Sequence, residues 1–169
     1  MALFRHRAAL PDDVRSALEL GSRERVLAVA PLTDGWVVAT THRLHVVPAD
    51  GAPVHRTWID VNAGRLDPES AVLSVTWVDG ATPTDLHLAD VRSMEFPRVF
   101  RECVNSSVVH SESVTLRSGA VVRVALRRDA DDALSTQVLG TGDVDLSDPA
   151  TAAAVDAVEA RVRDAAGLA

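Results

Sequence analysis

The chain has 169 residues, of which 47% are hydrophobic and 24% charged; a chain of that size buries about 70% of the surface its unfolded form exposes, so neither global disorder nor dependence on a metal or disulfide staple is expected. A formal net charge of −7 disfavours phosphate backbones and anionic headgroups as partners. All 17 basic residues are arginines and there is one cysteine, which excludes Schiff-base lysine chemistry, a P-loop lysine and an intrachain disulfide.

In chain order, the first element is a short amphipathic helix. Pro11 suits the first helical position, Asp12 and Asp13 favour the positive first turn, and Gly21 can end the helix in a left-handed conformation. Its stripe of Val14, Ala17 and Leu18 must dock on a larger body, because so short a helix is unstable alone in water. From Arg25 to Leu88 the pattern is strand after strand, near Arg25–Pro31, Gly35–Thr41, Arg43–Val47, Val54–Asp60, Val72–Val78 and Thr84–Leu88. Asp34-Gly35, Asp50-Gly51, Asn62-Ala63-Gly64 and Asp79-Gly80 are read as the turns between them. Leu73, Val75 and Trp77 alternate with Ser74, Thr76 and Val78, as in an antiparallel sheet with one covered face.

The run Gly35-Trp-Val-Val-Ala-Thr-Thr-His-Arg-Leu-His-Val-Val47 carries a Thr-x-x-Arg-Leu-apolar-apolar step after a Trp-Val-Val strand. It resembles the second and third strands of bacterial pleckstrin-homology-like (PH-like) domains, over about residues 25–109. The resemblance implies an α+β fold in which a helix after the last strand caps a bent antiparallel sheet, or partly open barrel, of about seven strands.

A helix at about 97–109 fits that place, with Val99, Phe100, Cys103, Val104, Ser107 and Val108 on one face. Beyond it, Ser113–Arg117 and Ala120–Arg127 around Ser118-Gly119 read as a further hairpin that could complete the sheet. Residues from Asp129 onward read as an acidic loop leading to a C-terminal helix at about 149–166. That helix is capped by Ser147 or Asp148, has Pro149 first and Gly167 last, and carries a stripe of Val155, Val158, Val162 and Ala165. The chain is thus read as one PH-like domain, 1–169: an N-terminal helical extension (1–24), the sheet and capping helix (25–128), and the acidic loop with the last helix (129–169).

The candidates for chemistry each have a plainer reading. Cys103 and His110 on one helix would lie about 10 Å apart along the axis, beyond hydrogen-bond reach, so Cys103 reads as a small buried hydrophobe. His42, His45 and His55 are close in the sheet, but residues three apart on a strand point to opposite faces, and partly exposed sheet histidines are expected in preference to a metal site. Asp143, Asp145 and Asp148 lack the spacing and terminal Glu of a calcium loop and read as helix caps. Gly140-Thr-Gly142 lacks a third glycine and the strand-to-helix context of a nucleotide fingerprint.

No catalytic, cofactor-binding or metal-binding residue is therefore nominated, and no cofactor is expected. No apolar run reaches the roughly 18 residues of a membrane helix and nothing at the N-terminus reads as an export signal, so a cytoplasmic setting is expected. In lipid-binding PH-like members the loop between the first two strands supplies bases to the headgroup phosphates. Here that loop, Pro31-Leu-Thr-Asp-Gly35, has an acid and no base. The expected function is a non-catalytic PH-like interaction or scaffold module that docks a protein partner or associates with itself, with no membrane and no nucleic acid. A small-molecule-binding barrel is the alternative, and an enzyme comes third.

Overall fold

The computed structural model describes residues 10–90, 92–141 and 144–168. Where the sequence suggests one domain, contacts group the chain into two compact units, the first ending at Asn105 and the second beginning at Ser106. The fold is α+β, and its described strands form three antiparallel sheets of four, three and three strands. They do not make one bent sheet of about seven, and no barrel closes.

In the first unit, β1 (Val26–Leu32), β2 (Gly35–Thr40), β3 (Arg43–Pro48) and β4 (Val54–Thr57) form a meander in that spatial order. The valine and alanine pairs of these strands are explained by burial on both faces. Ala28, Ala30, Leu32, Val37 and Ala39 enter the main core, while Val38 and Val47, with Val26, Val29 and Trp36 beside them, take up α1 (Asp12–Ala17) on the opposite face. Val14 and Leu18 of this short helix and its C-cap are 5% and 0% exposed. Each contributes on the order of 1.5–3 kcal/mol by burial, which is what holds so short a helix in place. The helix ends earlier than its glycine suggests. Leu18 is the C-cap and the left-handed residue is Glu19, at φ 46°, because the amide of Gly21 instead donates to the Glu24 carboxylate and turns the chain toward β1.

A 3-10 turn at Trp58–Asp60, closed by Thr57 and Asp60, ends the first sheet and starts the second: β5 (Val61–Asp67), β6 (Val72–Trp77) and β7 (Thr84–His87). Asn62-Ala63-Gly64, which the sequence suggests is a turn, lies inside β5, with a register irregularity between Val61 and Ala63. Gly64 is needed for room and not for turning: a Cβ there would sit 2.3 Å from Phe100 Cε1. Phe100 comes from α2 (Glu95–Ser107), which with Phe96 closes the core against Trp58, the two rings meeting edge-on at 5.8 Å. The helix starts and stops about two residues before its expected bounds, since Val108 already belongs to a strand. Leu73, Val75 and Trp77 are buried as their alternation predicts, and Trp58 and Trp77 are both buried.

The second unit comprises β8 (Val108–Thr115), β9 (Val121–Arg128), β10 (Leu134–Thr141) and α3 (Pro149–Ala165), the strands in the order β10-β9-β8. The 113–127 hairpin belongs to this sheet. Inside the expected acidic loop lies β10, hidden by its polar and glycine content. Asp129 and Asp132 make the turn before it: the Asp129 carboxylate accepts the amides of Asp131 and Ala133, and Asp132 is left-handed at φ 63°. Asp148 caps α3 through the Thr151 amide, and Val155, Val158 and Val162 pack on Val122, Val124 and Leu126 of the sheet. No helix among the described residues is long and apolar enough to cross a membrane.

Candidate functional site

Two features of the first unit stand out: a buried polar cluster, and an open strand edge beside a cleft. The cluster begins with Glu24, one residue before Arg25 leads into β1. Its side chain is 1% exposed, and an unpaired carboxylate there would be prohibitively costly. Oε1 accepts hydrogen bonds from Thr40 Oγ1 at 2.5 Å, Arg43 Nε at 3.1 Å and His45 Nε2 at 3.1 Å. Oε2 takes a second Arg43 nitrogen, completing a bidentate pair, and the amide of Gly21. Antiparallel register sets His45 of β3 directly opposite His55 of β4, and their Nδ1 atoms are 2.8 Å apart.

The electrostatics follow from these contacts. Burial alone would raise the Glu24 carboxyl, but hydrogen bonds from Arg43, then Thr40 and His45, outweigh it and hold the group well below the usual carboxylate range. Burial lowers the His45 imidazole, opposed by its bond to Glu24. An ionised Glu24 requires a proton on His45 Nε2, so neutral His45 offers its Nδ1 lone pair to the Nδ1–H of His55. The carboxylate–imidazole–imidazole line runs from Glu24 through His45 to His55. Its physical effect is to tie the segment before β1 to β2, β3 and β4.

Of the histidines considered together, His45 and His55 meet, while His42 lies in the bend between β2 and β3. No group of three or more His, Cys, Asp or Glu among the described residues is arranged to hold a metal. Cys103, on α2, has its thiol pushed up to about 11 by burial and then by Glu102. His110 is on β8 and not on the helix, and its nearest ionic neighbour is Glu112 at 3.7 Å. Asp145 accepts the amide and hydroxyl of Ser147, and Asp148 is the α3 cap, so both act as local turn and cap residues. Gly140 lies on β10; Gly142 and Asp143 fall outside the described residues.

The second feature is the outer edge of β1, the terminal strand of its sheet. The chain itself covers one end of that edge: Ala89 N donates to the Pro31 carbonyl and Thr33 N to the His87 carbonyl, both at 2.9 Å. The alternation of an antiparallel strand turns the N–H and C=O of Val29 to the same outer side as the Pro31 carbonyl. There the 87–89 segment has already left. Two adjoining clefts of about 160 and 180 Å³ run along this stretch, sharing Val29 and Glu95; Leu10 and Arg15 line one, and Asp90 and Ser93 the other.

Glu24 was not legible in the sequence as a site residue. The available signal was indirect, in that a histidine between Leu44 and Val46 on an apolar strand needs a buried partner, and only the fold shows which acid supplies it. Compared with protein-family models, curated proteins and solved structures, the chain finds no match, so its functional reading rests on its own geometry.

Proposed function

We propose that the chain is a non-catalytic, PH-like interaction module whose first unit receives an extended peptide segment along β1. The carrying observation is the open β1 edge beside its paired clefts. A partner strand entering there would continue the antiparallel pairing that Leu88 begins with Leu32, gaining main-chain hydrogen bonds from Val29 and side-chain contacts in the clefts. Asp90 borders the cleft, so the fitting peptide carries a basic residue at that end and small apolar residues over Ala28 and Ala30. The PH-like reading is supported by the order of elements, seven strands followed by α2, with Phe96 and Phe100 of that helix in the core.

The test is selection of displayed peptides on the intact protein, followed by amide hydrogen exchange. Selected sequences should be extended and basic, should slow exchange at Val29, and should lose affinity on Asp90→Lys. Failure to enrich any peptide, or protection that maps away from β1, would refute the reading. A small molecule that raises the melting temperature and protects the same cleft, with no peptide binding, would favour the ligand-binding alternative.

A further inference from the structure

The edge strand β10 differs from every other edge among the described sheets. Long open edges invite pairing with another chain, and proteins blunt them with charges or proline. The chain's own 87–89 segment covers one end of β1, and Arg56 in β4, Arg65 in β5, Asp85 in β7 and Glu112 in β8 put a charge on each remaining edge. β10, read Leu-Ser-Thr-Gln-Val-Leu-Gly-Thr, has neither charge nor proline over eight residues.

The strand also complements itself. The Asp129 amide donates to the Ala133 carbonyl across the turn, and alternation from that pair sends the N–H and C=O of Leu134, Thr136, Val138 and Gly140 away from β9. The side chains of these residues share the sheet face on which α3 packs, because Val138 pairs with Val124 and Leu134 with Arg128, in line with the buried Val122 and Leu126. α3 lies across β8 and β9. Leu134 and Val138 are left 38% and 39% exposed. They are four residues apart with Thr136 midway. A second β10 laid antiparallel about a two-fold axis at Thr136 therefore sets Leu134 of each copy against Val138 of the other, with their outward backbone groups in hydrogen-bonding register.

We propose that β10 is a self-association edge through which two copies of this chain pair, joining their three-stranded sheets into one continuous antiparallel sheet. The isologous seam covers the apolar strip that α3 leaves open, and β10 itself carries no charged residue into it. It is separate from the β1 edge, so loss of dimerisation should leave peptide binding there intact.

The experiment is sedimentation velocity of the full chain over a concentration series, with disulfide trapping in a Cys103→Ser background. The wild type should sediment at twice the monomer mass, and Val138→Lys should weaken association by at least about tenfold with unchanged circular dichroism. Thr136→Cys faces its own copy at about 5.5 Å between Cα atoms, within disulfide range, and should cross-link under mild oxidation. Ser135→Cys, on the opposite face and one position off the axis, should not. A wild type that stays monomeric at every concentration, or a dimer that Val138→Lys leaves intact and Thr136→Cys fails to trap, would overturn the proposal.

Discussion

Replacing Glu24 by glutamine tests whether the buried cluster holds the first unit together. The carboxylate accepts from Thr40, Arg43, His45 and the Gly21 amide. A glutamine keeps one oxygen but turns an NH₂ donor toward the second Arg43 nitrogen and the Gly21 amide, both donors themselves. Breaking a buried ionic contact costs about 3–5 kcal/mol. The Arg43 side chain keeps 30% exposure and can partly rehydrate, so the loss should fall near the low end, roughly 3 kcal/mol. For a chain of this size that is a drop of about 6–12 °C in melting temperature.

Tryptophan fluorescence is the right probe, since Trp36, Trp58 and Trp77 all lie in the first unit and the Trp58 indole donates to the Thr40 carbonyl at 2.9 Å. The pH dependence adds a second signature. His45 is lowered in the folded state, so below its ordinary value near 6.5 the unfolded chain binds more protons and stability falls with acidification. Glu24 is lowered as well, and its contribution, complete above its ordinary value near 4.5, is lost as the pH drops below that. Glu24→Gln should abolish the second decline. A loss under about 1 kcal/mol, or an unaltered acid limb, would refute the claim that this carboxylate anchors the unit.

Gly64→Ala should destabilise the first unit by about 1–3 kcal/mol by overpacking against Phe100, and Phe100→Leu in the same chain should recover part of the loss in a urea titration. Cys103, its thiol pushed up to about 11, should react with a disulfide reagent at neutral pH far more slowly in the native protein than in denaturant. Vesicles containing phosphoinositides should not co-sediment the protein at physiological salt, given the acidic β1–β2 loop; a signal that vanishes as salt is raised would contradict this.

Much of the local structure was legible in the sequence because it depends on neighbours along the chain. The strands Val26–Leu32, Gly35–Thr40, Arg43–Pro48 and Val72–Trp77 followed from alternation, though β5 did not, α3 from Asp148, Pro149 and the Val155–Val158–Val162 stripe, and the β8–β9 turn from Ser118-Gly119. Each is a short-range effect of side-chain periodicity, capping or left-handed backbone freedom.

Contacts distant in sequence decided the rest. Gly64 signals a turn until Phe100, 36 residues on, is seen to need the space of its missing Cβ. β10 has too little apolar alternation to declare itself and exists because β9 offers it a hydrogen-bonding edge. Glu24 looks like one more surface acid between two arginines, and only tertiary folding sets it against Thr40, Arg43 and His45, 16 to 21 residues away. A polar residue's neighbours along the chain do not fix whether it meets water or a buried partner. That choice turns on desolvation against pairing, and both are settled when the sheet closes over it.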